Sequence, residues 1–590
     1  PGVPPHMKKL LIAAAALMAV PGAAQAAPPN PFGHACTPQN GVLFCPTASD
    51  AERVPSFDGV PMDVDVTLPP SGDGPFPTIV LMHGWGGNKR SFEATSPEGN
   101  GGASYHYNNV YFAQQGYAVV TPSARGFGRS CGAADSRTSP GCDRGWLHLA
   151  DHRYEIRDTQ YLLGLLADQG ITRPGAIGVT GVSYGGMQSL SLARLRDRVR
   201  LPNGRYRSWR SPNGKPMRVA AAYARWGGSD MAYVLQPNGR YLDFKPDSVG
   251  QSVEPGGVMK KSYTDGLYLT GNLSGFYAPT GGVFGSDITK WKALSDRGEP
   301  TRSVLAVGRE LTRYHSSAGV TGGRSAPLLV QNGWTDDLFP VPEALRTYRS
   351  LERAKGAYVA LQVGDFGHMR GQNKQPVDRA LQDQGARFFA SFLNGQGKPP
   401  AHRSVVAYTQ TCPVDAAAGG PFRASSWDAL HPRSLRLSAP RIQRISSGGG
   451  DLAVGKELDP IGGKGACHAV SATRASGTAV VQRTATKPFT LLGLPTVRAT
   501  IATNGRGGVI AARLWDVHQG QQTLVARGVY RLTDNQKGRI VFQLFGNGWR
   551  FARGHRAKLE LLGSDPNFVR PSNFEFTLRA SKIGVELPGR

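Results

Sequence analysis

A hydroxyl becomes a nucleophile when a base lies within hydrogen-bond reach and an acid fixes that base's tautomer. Ser183, Asp336 and His368 are the residues of this chain that could supply the three parts. Ser183 sits in Gly181-Val182-Ser183-Tyr184-Gly185-Gly186, after the β-branched run Ala176–Thr180 and before a helix-permissive run from Met187 to Leu195. That order predicts a strand, a sharp turn and a helix. Glycines at 181 and 185 let strand and helix crowd together and lift the serine Oγ to the turn apex. The turn also sets Ser183 at a helix N-terminus, where free N–H groups favour developing negative charge. A Gly-x-Ser-x-Gly pattern arises by chance in a glycine-rich chain, and it is the strand–turn–helix context that gives it meaning. Asp337 is the rival acid. Asp336 is favoured because Gly333-x-x-Asp336-x-x-x-Pro340 puts it at a loop apex, whereas Asp365 lies too close in sequence to His368. His83 precedes Ser183 and is read as ordering its own loop.

These three residues need a scaffold that brings distant positions together, since 153 and 32 positions separate them. Pro77–Met82, Ala118–Thr121, Val219–Ala224, Pro327–Gln331 and Tyr358–Val363 are short apolar runs of the kind buried on both faces of a parallel sheet. Helical patterns alternate with them, at Asp151–Asp168, Pro342–Ala354 and Pro376–Leu393. Alternation of this sort predicts an α/β fold with a mostly parallel sheet and right-handed crossovers. Phe57–Leu68 alternates around an Asp-Gly turn and predicts a hairpin, and residues 201–218 read as a solvated basic hairpin. Residues 226–325 break the rhythm and are expected to cap the active site. Beyond Pro400 short alternating strands predict an antiparallel β-sandwich of jelly-roll type. The expected organisation is an N-terminal extension over 27–53, an α/β core over 54–225 and 326–396, the cap between them, and the sandwich over 397–590.

At 590 residues the chain is too long for one core, and 40% hydrophobic content fits a globular protein. Met7–Ala26 reads as a secretory signal: Lys8 and Lys9, an apolar run from Leu10 to Val20, and Ala24-Gln25-Ala26 as a cleavage site. Residues 1–26 are therefore set apart from the fold, and the mature protein is expected to be extracellular or periplasmic. Eleven apolar residues are too few for a span, so no membrane-crossing segment is expected. In an exported chain six cysteines read as three bridges, and proximity selects Cys36–Cys45, Cys131–Cys142 and Cys412–Cys467 among 15 possible pairings. No zinc-type spacing or cofactor motif is visible, so neither metal nor cofactor is expected. A formal net charge of +26 favours adsorption to anionic polymers. Nucleic acid is not the expected partner, because the basic residues are scattered and no binding motif accompanies them.

With those residues laid out, the chain resembles the cocaine-esterase / X-prolyl dipeptidyl-peptidase family of serine hydrolases. The resemblance rests on Asp58-Gly59-Val60, Arg125-Gly126-Phe127-Gly128-Arg129-Ser130, Gly181–Gly186 and Gly367-His368, and covers roughly residues 54–590. Gly528–Leu532 and Gly554–Leu559 are similar to that family's C-terminal jelly roll. The resemblance implies an α/β-hydrolase with Ser183 as nucleophile, His368 as base, Asp336 as orienting acid and the Tyr184 N–H in the oxyanion hole. After the first buried strand, in His83-Gly84-Trp85-Gly86-Gly87, this chain has Trp85 where ester-cleaving members often carry a tyrosine. Its backbone N–H is then the expected second oxyanion donor. The cap offers tyrosines and tryptophans (Tyr233, Tyr241, Tyr263, Tyr268, Tyr277, Trp291) and no acidic pair to hold a free amino terminus. Carboxylic esters are therefore the expected substrates, with X-prolyl aminopeptidase activity as the alternative and a non-catalytic polymer-binding scaffold as a more distant one.

Overall fold

The computed structural model describes residues 1–2, 30–245 and 254–590. The expected signal segment Met7–Ala26 lies outside the described residues. Eleven strands form the central sheet: β1 (Thr37–Gln39), β2 (Val42–Cys45), β3 (Val64–Leu68), β4 (Phe76–Met82), β5 (Ala118–Pro122), β6 (Thr172–Val182), β7 (Val219–Arg225), β8 (Leu328–Gly333), β9 (Val359–Gly364), β10 (Val405–Ala407) and β11 (Phe422–Ala424). Their spatial order is β1-β2-β3-β5-β4-β6-β7-β8-β9-β10-β11. From β5 to β10 every pairing is parallel. At the two edges the pairings are antiparallel.

The helices that flank this sheet are α1 (Asn109–Gln114), α2 (Glu155–Asp168) and α3 (Tyr184–Leu195), with α8 (Val341–Leu351) and α9 (Gln375–Asn394) further on; between β7 and β8 run α4 (Met231–Leu235), α5 (Lys261–Ser274), α6 (Ile288–Asp296) and α7 (Arg302–Tyr314). Side chains of a strand alternate between faces, and β4 shows the consequence. Ile79 and Leu81 pack with α1 and with Phe388, Phe389 and Leu393 of α9. Val80 and Met82 face the other way, into the core shared with α2, α3 and α8. Both faces are covered, which is why these strands read as unbroken apolar runs. Gly385 lets α9 lie flat on the sheet, because a Cβ there would strike the Tyr223 ring.

The sheet takes in more chain than the ranges 54–225 and 326–396 expected for the core. β1 and β2 come from the N-terminal extension, while β10 and β11 lie beyond 396. These strands span only three or four residues each, too short for a run that sequence alone separates from a loop. Beyond them a sandwich of two antiparallel sheets, of seven and five strands, closes on a single core that includes Leu514, Phe542, Phe551 and Leu578. The cysteines pair as Cys36–Cys45, Cys131–Cys142 and Cys412–Cys467, as proximity led us to expect. Among the described residues no helix is long and apolar enough to cross a membrane.

Candidate active site

Ser183 stands between β6 and α3 with φ 59° and ψ −112°, left-handed backbone that a side-chain-bearing residue rarely adopts. The surrounding glycines enforce the turn. A Cβ at Gly181 would lie 2.5 Å from the Gly185 carbonyl carbon, and one at Gly185 would run into the Met82 carbonyl oxygen. The Ser183 N–H is tied to the Arg225 carbonyl at 3.0 Å, so β7 fixes the turn from the side.

Asp336 lies in the loop after β8 and is fully buried. Its Oδ1 accepts the N–H groups of Leu338 and Phe339 at 3.0 and 2.9 Å, which turns Oδ2 toward the loop after β9. There Oδ2 accepts the His368 N–H at 3.2 Å and its ring Nδ1–H at 2.7 Å. Gly367, at φ 117°, allows this close approach, since a Cβ would collide with the same carboxylate oxygen. With Nδ1 donating to Asp336, Nε2 is left to accept, and the Ser183 Oγ lies 2.7 Å from it. Three residues at the carboxyl ends of three strands thus converge on one chain of hydrogen bonds.

Asp337 turns the opposite way. Its carboxylate meets Arg370 at 2.7 Å and Arg527, from the sandwich, at 3.6 Å. Burial works against ionisation there, and the two guanidiniums outweigh it, holding the carboxyl below its ordinary value. Asp365 accepts from the Thr335 hydroxyl at 2.5 Å and the Gln372 N–H at 3.3 Å, and burial pushes it up to about 6. His83 donates from Nδ1 to the Gly84 carbonyl at 2.7 Å and accepts the Ala124 N–H at Nε2, 2.9 Å away. Burial lowers it to about 4, so it is a neutral strut of its own loop.

That loop carries Gly84 and Trp85 past the serine: a Cβ at Gly84 would lie 3.8 Å from Ser183 Cβ. The Trp85 indole donates to the Leu267 carbonyl at 2.9 Å and meets Phe127 and Tyr184 edge-on. Its side chain is therefore committed to the cap, leaving only its backbone as a donor. Tyr184 opens α3, where its N–H has no acceptor within the helix. Its phenol donates to Glu155 at 3.2 Å and accepts the Ala150 N–H at 2.8 Å. Glu155 also accepts the N–H groups of His148 and Asp151, and burial pushes its carboxyl up to about 7. Sequence reasoning missed this strut; its one signal was an acid at the start of an amphipathic helix.

A cavity of about 110 Å³ opens beside Ser183 and Tyr184. Trp85, Leu149, Met187, Leu338 and Phe339 line it from the core, and Met231, Leu235, Met259, Leu267, Trp291, Val307 and Leu311 from the cap. Of the cap aromatics singled out in sequence, Tyr268, Tyr277 and Trp291 line it. Tyr233 and Tyr241 instead pack under the Arg346 guanidinium. Lys292 is the one charged residue of the lining, and Asp265 and Asp296 hold it at 2.8 and 2.6 Å. No described carboxylate lines the cavity. Asp230 and Asp287 cap α4 and α6, Asp243 bonds Trp427 and Gln543, Glu254 pairs with Arg309, and Glu299 accepts from the Asn573 N–H. Asp247 lies outside the described residues. Asp151, Glu310 and His315 cluster closely enough to suit a cation, but the Arg153 guanidinium already bridges the two carboxylates at 2.5 and 2.6 Å.

Residues 58–199 match the model of the X-Pro dipeptidyl-peptidase (S15) family. No curated protein matches the sequence. Among solved structures, a CocE/NonD family hydrolase from Staphylococcus aureus superposes with TM-score 0.58 at 12% identity, covering 93% of this chain and 94% of that one. An aminopeptidase from a Thaumarchaeota archaeon of marine sediment gives 0.60 at 14%, covering 94% and 98%. An α-amino acid ester hydrolase gives 0.57 at 14%, covering 93% and 97%. Residues 58–199 therefore carry the pattern of the X-Pro dipeptidyl-peptidase (S15) serine hydrolases, esterases or peptidases by class, within a chain that has the CocE/NonD hydrolase fold over nearly its whole length.

Proposed function

We propose that the protein is a secreted serine esterase that forms an acyl-enzyme on Ser183. The observation that carries this reading is the Asp336–His368–Ser183 hydrogen-bond chain opening onto a cavity lined by apolar side chains. His368 Nε2 takes the Oγ proton as Ser183 attacks the ester carbonyl, and Asp336 stabilises the imidazolium and holds its orientation. The N–H groups of Tyr184 and Trp85 receive the oxyanion. His368 then returns the proton to the departing alkoxide, and water repeats the sequence to release the acid. The cavity takes the apolar part of the substrate, which suits short-chain or aromatic acyl groups. Three disulfides fit an oxidising, extracellular setting.

A second reading, an X-prolyl aminopeptidase, draws on the family match over residues 58–199. It requires an anion beside the scissile bond to receive the substrate ammonium, and the cavity lining supplies none among the described residues. A panel of p-nitrophenyl esters set against alanyl-prolyl anilide separates the two. Ester turnover with little anilide release is expected; efficient anilide cleavage with far slower ester turnover makes the protein a peptidase. Labelling by a fluorophosphonate, lost in Ser183→Ala, excludes a non-catalytic scaffold.

A further inference from the structure

Residues 194–218 hold nine lysines and arginines against one acid, Asp197. They begin at the C-terminal end of α3 and continue through a two-stranded antiparallel hairpin, Arg198–Arg200 with Tyr206–Ser208, that stands apart from the central sheet. Arg205, Arg207, Arg210, Lys215 and Arg218 are exposed. None of the nine forms an ion pair with a described carboxylate. Those that are anchored bond to neutral carbonyls instead: Arg198 to Thr321 and Gly322, Arg200 to Arg313, Arg210 to Gly214, Lys215 to Ala167 and Arg218 to Gly175. Carbonyls fix the side chains in place and leave their charge uncompensated. Arg125, Arg153, Arg349 and Arg513, elsewhere in the fold, are by contrast matched to carboxylates; what sets the hairpin apart is nine cations within 25 residues with no such match.

We infer that this basic hairpin docks the protein onto an acidic polysaccharide, with the active site left open to substrate. Charge complementarity selects a polyanion. A bilayer would need exposed apolar anchors, and Val199, Trp209 and Met217 are buried. Single-stranded nucleic acid would need a free ring for base stacking, and Tyr206 already carries Arg198 and Arg200 at 4.6 and 5.1 Å from its centroid. Three disulfides fit the exported setting proposed above, where acidic glycans rather than nucleic acids are the abundant polyanions. The surface does not obstruct catalysis. Ser183 precedes the first residue of α3 and the cluster starts at Arg194 near its far end, about 17 Å away at 1.5 Å per residue.

The test is retention on dextran sulfate–agarose under a salt gradient at neutral pH. The variant R205Q/R207Q/R210Q/K215Q is compared with K537Q/R539Q/R553Q/R556Q, which removes the same charge from exposed positions of the sandwich. The hairpin variant is expected to elute at clearly lower salt, its binding falling at least tenfold and its log–log salt dependence shrinking by on the order of three. The sandwich variant is expected to elute near the wild type. Both keep wild-type turnover of p-nitrophenyl butyrate, which shows them folded. Equal shifts in the two variants would reduce the effect to net charge and overturn the assignment. Tighter binding to duplex DNA or to phosphatidylglycerol vesicles than to dextran sulfate at equal salt would overturn the choice of partner.

Discussion

At the scale of single residues, Asp336 and Asp337 show how neighbouring carboxylates receive different work. Asp336 is held by two backbone N–H groups and the histidine, and Asp337 by two guanidiniums. Asp336→Asn should lower kcat by about 10⁴, because the amide cannot hold His368 in the tautomer that accepts the serine proton. Ser183→Ala and His368→Ala should abolish ester turnover. Asp337→Asn should instead leave Arg370 and Arg527 buried without their counter-charge and cost ~3–5 kcal/mol of stability, with kcat per active site falling far less than in Asp336→Asn. Active-site titration beside thermal unfolding tells the two apart, and the reverse pattern would mean that the acid is Asp337. Glu155 gives a pH signature. Its folded value of about 7 exceeds the ordinary 4.5, so the folded state binds its proton more tightly over that interval. Its contribution to stability is full below pH 4.5 and is lost as pH rises through 7, by up to about 3 kcal/mol. Chemical denaturation at pH 5 and pH 7 should show this fall in the wild type and a smaller one in Glu155→Gln.

At the scale of elements, the turn around Ser183 is made by absent side chains. Gly185→Ala forces a Cβ into the Met82 carbonyl, a backbone group that cannot step aside. We expect it to cost ~3 kcal/mol or more and to lower the yield of active enzyme. Gly448→Ala, where nothing lies within 4 Å, should change the denaturation midpoint little. The parallel strands were legible because burial on both faces leaves a continuous apolar run, as in Ile79–Met82, and the glycines around Ser183 stand at fixed offsets. The edge strands β1, β2, β10 and β11 were not, for they span three or four residues each. In the cap, α7 buries Val304, Val307 and Leu311 at helical spacing. α5 is laced with Gly, Ser and Thr and announces itself poorly. His368 and Ser183 could be named from their motifs and Asp336 favoured from its place at the loop apex, whereas the partners that set Asp336 and Asp337 apart lie in no local pattern.

At the scale of the whole molecule, three parts of the chain hold the loop that carries Asp336. Arg370 comes from the core, just past His368. Lys260, at the start of the cap helix α5, donates to the Asp337 and Leu338 carbonyls at 2.7 and 2.9 Å and lies over the Phe545 ring of the sandwich. Arg527 comes from the sandwich, anchored by the Leu458 carbonyl at 2.8 Å and packed on Phe568. The acid proposed for catalysis thus lies in a loop held by residues spread from 260 to 527, and a sequence scan sees no link among them. Nearby, Trp334 donates to the Tyr408 carbonyl and packs against Trp427, whose indole is bonded by Asp243. The sandwich is thus part of the wall behind the site as well as a separate core. Arg527→Met should lower both stability and kcat, since Asp337 would keep one guanidinium and the loop would lose its hold on the sandwich. Asp337→Asn in that background removes the under-compensated carboxylate, so the double variant should be less destabilised than the two single changes added together. A coupling of 1 kcal/mol or more in the unfolding cycle is the expected result. Strict additivity, with kcat untouched by Arg527→Met, would show that the sandwich only covers the site and does not position its acid.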